Sequence, residues 1–158
     1  MKRAAAALFA AALATAAQAQ AALSEAQVRD FLVRQQRAWN AGDVDRYFGL
    51  YAPDAVFTDQ ARTPQGDIVP YGTSSLTQAR AQTRRFLAKS KVTETGYVRR
   101  IEIATDRRSA RVTTDAYSRT EQAGTVRTTC VARVQTLTLA GSRLRSSGQT
   151  DTLFRCPR

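Results

Sequence analysis

The 158-residue sequence contains no histidine. This absence excludes Ser-His-Asp and Cys-His catalysis together with every histidine-ligated metal site. Cysteine is nearly absent as well, and the two that occur, Cys130 and Cys156, cannot by themselves form a structural zinc site. We therefore expect neither a metal nor a cofactor.

Lysine is scarce too: the chain has three lysines against 21 arginines, a bias that GC-rich coding produces. The formal net charge is +11, and a strongly basic domain first suggests a nucleic-acid partner. The basic residues are scattered instead of forming one dense run, and we interpret them as solvated faces: Arg80, Arg99, Arg111, Arg133 and Arg145. We predict no nucleic-acid partner, and an anionic ligand or envelope surface stays open.

Long apolar runs are also missing. The longest, residues 4–14, falls short of the roughly 20 residues that a membrane-spanning helix needs, so no transmembrane segment is expected. It follows Met1-Lys2-Arg3 and precedes Ala17-Gln18-Ala19, which is the order of a secretory signal peptide. We predict cleavage after Ala19 or Ala21 and a periplasmic or secreted protein. The alternative is an Ala-rich helix that belongs to the fold.

The predicted organisation is a signal peptide over 1–19 and a single domain over 20–158. Removal of 19 residues from 158 leaves 139, which suffices for one core, and loss of Lys2 and Arg3 lowers the net charge to +9. The first helix is announced by Ser24 and Gln27, which form a capping box, and ends near Gly42.

The remaining elements follow from capping residues and from strand-forming composition. Asp43 caps a short second helix, a strand begins at Asp54, and hydroxyl residues after Gly72 precede a third helix. From Val92 onward the chain is rich in Val, Ile, Thr and Tyr, with three turns, which predicts a four-stranded antiparallel meander. Helices then cover one face of a curved sheet, whose inward positions are small or polar: Thr114, Ser118, Ala132, Ser146, Gly148 and Thr150. Such a face leaves either a cavity or a surface for another chain.

The stretch Trp39-Asn40-Ala41-Gly42-Asp43 and the segment Tyr51-Ala52-Pro53-Asp54-Ala55 resemble two motifs of one superfamily. These "N-x-G-D" and "Y-A-x-D-A" motifs are similar to those of the SnoaL-like and ketosteroid-isomerase-like branch of the nuclear transport factor two-like superfamily. The resemblance implies an α+β, cone-shaped (cystatin-like) fold in which a curved antiparallel sheet wraps around three N-terminal helices. It says little about function, because this fold hosts isomerases, cyclases, hydrolases, dehydratases and many non-catalytic domains.

The resemblance places the isomerase-type general base on Asp59. A carboxylate facing an apolar cone can have a raised pKa and abstract a proton next to a carbonyl. The oxyanion donor does not carry over, because Gln35 stands where the steroid isomerases have a tyrosine. Simple strand alternation points the other strand carboxylates, Asp115 and Asp151, outward. Asp59 has the alternative role of a strand-end turn former, and Gln35 that of a buried hydrogen-bond partner.

Four aromatic residues complete the predicted site. Trp39 and Phe57 are candidate pocket-lining side chains as well as candidate core, and the hydroxyls of Tyr71 and Tyr117 reach either a cavity or water. Because no coupled acid and base is recognisable, we favour a non-catalytic domain that binds a small apolar ligand in the cone or forms a homodimer. The alternative is an isomerase or lyase that uses Asp59 as base.

The cysteine pair gives conflicting signals. A final hairpin centred on Gly141 pairs Leu139 with Leu144 and places Cys130 opposite Leu153. Cys156 then lies three residues, about 10 Å, beyond the position opposite Cys130, which is too far for a disulfide. An oxidising compartment favours a bridge, and a bent terminus or a β-bulge near Gln135 would permit one. We predict the disulfide Cys130–Cys156.

Overall fold

The structure is a computed structural model that describes residues 22–157. The predicted signal peptide and both predicted cleavage sites lie outside these residues. Within them, no helix is both long enough and apolar enough to cross a membrane.

Three helices and six strands make up the described chain. The helices are α1 (Glu25–Asn40), α2 (Val44–Phe48) and α3 (Leu76–Leu87). The strands are β1 (Tyr51–Arg62), β2 (Ile68–Ser75), β3 (Ser90–Ile103), β4 (Ser109–Gln122), β5 (Thr125–Ala140) and β6 (Arg143–Phe154). The predicted α+β class and order of elements are confirmed, although only α1 and α2 precede the sheet and α3 follows its first hairpin.

All six strands form one sheet in the order β2-β1-β6-β5-β4-β3. The predicted meander of β3 to β6 is confirmed, but the sheet is mixed and not purely antiparallel, because β1 and β6 pair in parallel. The reason is topological. Helix α3 carries the chain from β2 at one edge to β3 at the other, and three hairpin reversals then return β6 beside β1 in the same direction.

Local capping explains where the helices begin. Ser24 Oγ accepts a bond from the Gln27 amide (3.3 Å) while the Gln27 side chain accepts one from the Ser24 amide (2.8 Å), as predicted. Ser75 and Gln78 repeat this capping box at α3. Both boxes satisfy amides that the first helical turn leaves without partners.

A hydrophobic cluster fills one end of the concave face. Its members are fully or nearly fully buried: Leu23, Val28, Phe31, Ala110, Val112, Leu137 and Leu139. They come from the start of α1, the start of β4 and the end of β5. The opposite ends of β4 and β5 carry smaller or polar inward residues, so the space between sheet and helices stays open there.

A β-bulge in β6 reverses the facing predicted for its second half. Leu137 pairs with Ser146, but the residue that precedes it on β5, Thr136, pairs with Gly148. Strand β6 therefore contains one extra residue. Inward positions therefore change from Ser146 to Gln149 and Asp151, and the predictions that Thr150 faces inward and Asp151 outward are wrong.

Gly148 is required at this bulge. Its φ is +140°, and a Cβ placed there would overlap the carbonyl oxygen of Val56 on the neighbouring strand. Only a residue without a side chain allows β1 and β6 to approach this closely.

The predicted disulfide Cys130–Cys156 is present, with a Cα separation of 5.0 Å. The bulge pairs Cys130 with Phe154 in place of Leu153. The chain leaves the ladder after Phe154, and Cys156 bends back to reach its partner. Both routes to a bridge that the sequence left open thus contribute.

Candidate functional site

A cavity of about 480 Å³ opens between the concave face of the sheet and the helices. Its size falls in the range of small-molecule sites. Six aromatic side chains contribute to its wall, namely Trp39, Tyr47, Phe48, Phe57, Tyr71 and Phe86, with Val92, Val131 and Leu153 between them. Phe57 and Asp59 lie two residues apart on β1, so strand alternation places both on this side.

An ion cluster lies at the polar end of the cavity. Arg133 donates from Nε and Nη2 to the two carboxylate oxygens of Asp151 (2.8 and 2.9 Å) and from Nη1 to Glu94 Oε1 (3.0 Å). The three side chains are only 8–15% exposed. Burial alone would lower the pKa of Arg133, but the carboxylates of Asp151 and Glu94 outweigh it and hold that pKa well above its usual range. The guanidinium is therefore permanently charged.

Helix α1 fixes the backbone of Glu94. Strand β3 is an edge of the sheet, and Glu94 pairs with Ser118 on one side only. On the other side, the Asn40 side chain donates to the Glu94 carbonyl (2.8 Å) and accepts from its amide (2.8 Å), and Gln36 donates to the same carbonyl (2.9 Å). Asn40, from the "N-x-G-D" motif, thus substitutes for a missing strand and helps to position Glu94 toward Arg133.

A chain of neutral hydrogen bonds runs from α1 to the ion cluster. Gln35 donates to the Tyr51 hydroxyl (2.6 Å), which lies 2.9 Å from the Tyr47 hydroxyl and donates to Gln149 Oε1. Gln149 in turn donates to Asp151 (3.0 Å). Burial raises the pKa of Tyr47 and raises that of Tyr51 further, so both phenols stay protonated. Together these bonds hold Asp151 in place.

Asp59 differs from the other carboxylates of the cavity. It lies opposite Gly72 on β2 and Asp151 on β6. Its side chain makes no hydrogen bond or ion pair with any residue of the described range 22–157. Burial raises the pKa of Asp59, the Asp151 carboxylate raises it further, and Arg133 offsets part of the rise. Asp59 is thus the acid of this cavity that is free to bond a ligand or exchange a proton.

The structure brings together four of the six side chains proposed for the site: Asp59, Trp39, Phe57 and Tyr71 all line the cavity. Gln35 is buried beneath it, bonded to Tyr51, and lines a second space of about 260 Å³ instead. Tyr117, also predicted for the site, does not line the cavity. The inward residues of β4 here are Ser118 and Thr120, so alternation places Tyr117 on the outer face, where it is 47% exposed.

Sequence reasoning missed the ion cluster itself. The interpretation of Arg133 as part of a solvated face is wrong, because its side chain is only 12% exposed. The prediction that its neighbour Ala132 faces inward is wrong for the same reason, since adjacent residues of a strand point to opposite faces. A usable signal was available. Arg133 shares the odd-numbered register of β5 with the buried residues Val131, Gln135 and Leu137, so it had to face inward and to need buried carboxylates as partners.

Solved structures with the same fold confirm the predicted resemblance at the level of the fold. A ketosteroid isomerase-like protein from Erwinia carotovora superposes with a TM-score of 0.66 at 11% identity, covering 83% of this chain and 96% of that one. The beta subunit of benzoate 1,2-dioxygenase from Burkholderia mallei gives 0.62 at 14% identity, covering 84% and 91%. An NTF-2-like protein of unknown function from Shewanella oneidensis gives 0.59 at 14% identity, covering 80% and 97%. No protein-family model matches the chain, and no curated protein sequence matches it either.

Proposed function

We propose that this domain binds a small, mainly apolar ligand in the cavity between its helices and its sheet, without converting it. The observation that carries the proposal is the cavity itself: about 480 Å³, walled by six aromatic side chains of the described residues, with one carboxylate, Asp59, that has no partner among residues 22–157. Aromatic walls supply apolar contact area, and a single free polar group orients a ligand.

A non-catalytic role is favoured by how the other polar groups are used. Asp151 accepts three bonds from Arg133 and Gln149, and Glu94 accepts one from Arg133. These groups are held by one another, so within the part of the chain that the structure describes Asp59 has no acid or base partner aimed at a common reacting atom.

The test fills the cavity. The neutral dye N-phenyl-1-naphthylamine fluoresces on entering apolar sites, and we expect saturable binding to the parent protein. Thr129 lines the cavity, so Thr129→Trp should weaken that binding at least tenfold. Its exposed neighbour Thr128 faces outward, so Thr128→Trp should leave binding unchanged. No dye binding, or equal binding by both variants, contradicts the proposal.

A second candidate function is that of an isomerase or lyase with Asp59 as general base. The raised pKa of Asp59 and its position in an aromatic cavity favour it. Isomerisation of cyclohex-3-enone to the conjugated ketone, followed by absorbance, tests this role. Activity that Asp59→Asn abolishes and the surface variant Asp115→Asn retains supports a catalytic Asp59, whereas turnover unchanged in Asp59→Asn removes it from the mechanism.

We also propose that the protein is exported and self-associates. The disulfide is typical of oxidising compartments, which supports a periplasmic or secreted location. The intact mass of the exported protein should correspond to a chain that begins at Gln20 or Ala22, and a full-length mass contradicts cleavage.

The outer face of the sheet carries the exposed side chains of Tyr97 and Tyr117 (63% and 47%), which supports a homodimer through this face. Sedimentation at the monomer mass contradicts it.

A further inference from the structure

The charges around the cavity are unbalanced. Among the described residues, three carboxylates line it, those of Asp59, Glu94 and Asp151, against one cation, Arg133. With all four ionised, the formal charge of the lining is −2, although the whole chain carries +11. The cavity is therefore an acidic site inside a basic protein, which is the reverse of what the net charge suggests for a ligand.

Arg133 compensates the charge of Asp59 only in part. Its three bonds go to Asp151 and Glu94, and it makes none to Asp59. Asp59 and Asp151 pair across neighbouring strands, so two like charges lie side by side and one of them has no counterion among residues 22–157. A buried or half-buried carboxylate in this position is stabilised only by a proton or by a cation brought from outside.

We propose that the ligand of this cavity is a small aromatic or aliphatic amine, whose ammonium group pairs with Asp59 and whose apolar body fills the aromatic part of the cavity. This inference rests on the proposed ligand-binding function and names its chemical class. The ammonium supplies the counterion that Asp59 lacks.

The walls fit such a ligand as well as the carboxylate does. Phe57 lies two residues from Asp59 on β1, and Tyr71 lies next to Gly72, the cross-strand partner of Asp59. A cation held at Asp59 therefore lies close to aromatic rings, whose faces attract positive charge. The sequence-based expectation of an anionic ligand is not supported at this site, because an anion would meet three carboxylates and find the guanidinium already bonded.

The experiment compares three ligands with one apolar body: 4-phenylbutylammonium, 4-phenylbutanol and 4-phenylbutyrate. Each competes with N-phenyl-1-naphthylamine at pH 7.5. We expect the ammonium to bind about tenfold more tightly than the alcohol, because only the ammonium adds an opposite charge to the hydrogen bond that either group donates to Asp59. We expect the carboxylate to bind most weakly.

Two carboxylate-to-amide variants provide the matched comparison. Asp59→Asn should abolish the preference for the ammonium, so that the ammonium binds this variant no more tightly than the alcohol does. Asp115→Asn, on the outer face, should change neither. Circular dichroism confirms that both variants are folded, and an unfolded Asp59→Asn is replaced by Asp59→Ser with the same expectation.

The outcomes separate this inference from the function on which it rests. Dye and alcohol binding without any preference for the ammonium, or a preference that Asp59→Asn retains, overturns the amine while ligand binding stands. Binding of no ligand and no dye overturns the proposed function itself. A tenfold preference for the ammonium that disappears only in Asp59→Asn supports both.

Discussion

Replacing Arg133 with methionine tests whether the ion cluster is a structural unit of the site. The substitution removes three hydrogen bonds, two to Asp151 and one to Glu94, and keeps much of the aliphatic stem. Two buried carboxylates then lose the cation to which both were bonded. Breaking a buried ion pair by removing one partner costs about 3–5 kcal/mol. Because the carboxylate side chains keep 8% and 15% exposure, we expect the lower end, about 3 kcal/mol.

The assay is urea and thermal unfolding followed by circular dichroism. A loss of about 3 kcal/mol lowers the melting temperature by roughly 10 °C in a domain of this size. Arg119→Met is the matched control, since Arg119 pairs with Glu121 on the exposed outer face and should contribute less than about 1 kcal/mol.

A neutralised cluster separates lost charge pairing from lost packing. Combining Arg133→Met with Glu94→Gln and Asp151→Asn removes the uncompensated charges, so this triple variant should recover a large part of the lost stability. If Arg133→Met alone stays within about 1 kcal/mol of the parent, the carboxylates are hydrated and the description of the cluster as buried is refuted.

Three further predictions concern the bulge, the disulfide and Asp59. Gly148→Ala should lower the free energy of unfolding by at least about 3 kcal/mol in urea titrations, against roughly 1–2 for Gly141→Ala in an open turn; equal effects contradict the steric argument. Reducing Cys130–Cys156 should cost about 3 kcal/mol by chain entropy, and an unchanged urea midpoint in dithiothreitol opposes this. Since the pKa of Asp59 is raised above 3.8 in the folded state, its contribution to stability is present below that pH and lost as the pH rises through the folded value. The free energy of unfolding of Asp59→Asn, measured relative to that of the parent, should therefore be higher at pH 7 than at pH 3. The reverse order contradicts the raised pKa.

Local chemistry made much of the fold predictable from the sequence. Ser24 with Gln27 marks the start of α1 because the pair satisfies amides that no helix can satisfy internally, and Gly141 marks a hairpin because it adopts a φ of +63°. These signals lie within a few residues of the structure they specify. The capping box and the turn therefore form whatever packs against them later.

The ion cluster depends on contacts that are distant in sequence, and for that reason it escaped prediction. Glu94 and Arg133 are 39 residues apart and meet only because β3, β4 and β5 pair in one particular register. In a chain with many arginines, each is expected to be solvated unless it is known on which face of the sheet it lies. Asp59 was accessible to sequence reasoning because a motif close in sequence pointed to it, whereas no motif pointed to Arg133.

The bulge at Gly148 shows how a single residue decides features that look unrelated. In an unbulged hairpin, residue numbers across the β5–β6 ladder keep the sum set by the Leu139–Leu144 pair, which points Asp151 outward and leaves Cys156 out of reach of Cys130. One extra residue in β6 turns Asp151 toward Arg133 and moves Cys130 opposite Phe154, from where the bent terminus reaches it. The register that permits the disulfide is thus the register that builds the ion cluster. The bridge joins Cys156, five residues after Asp151 and just beyond the end of β6, to Cys130, three residues before Arg133 on β5. It therefore also holds the strand ends on which the cluster depends.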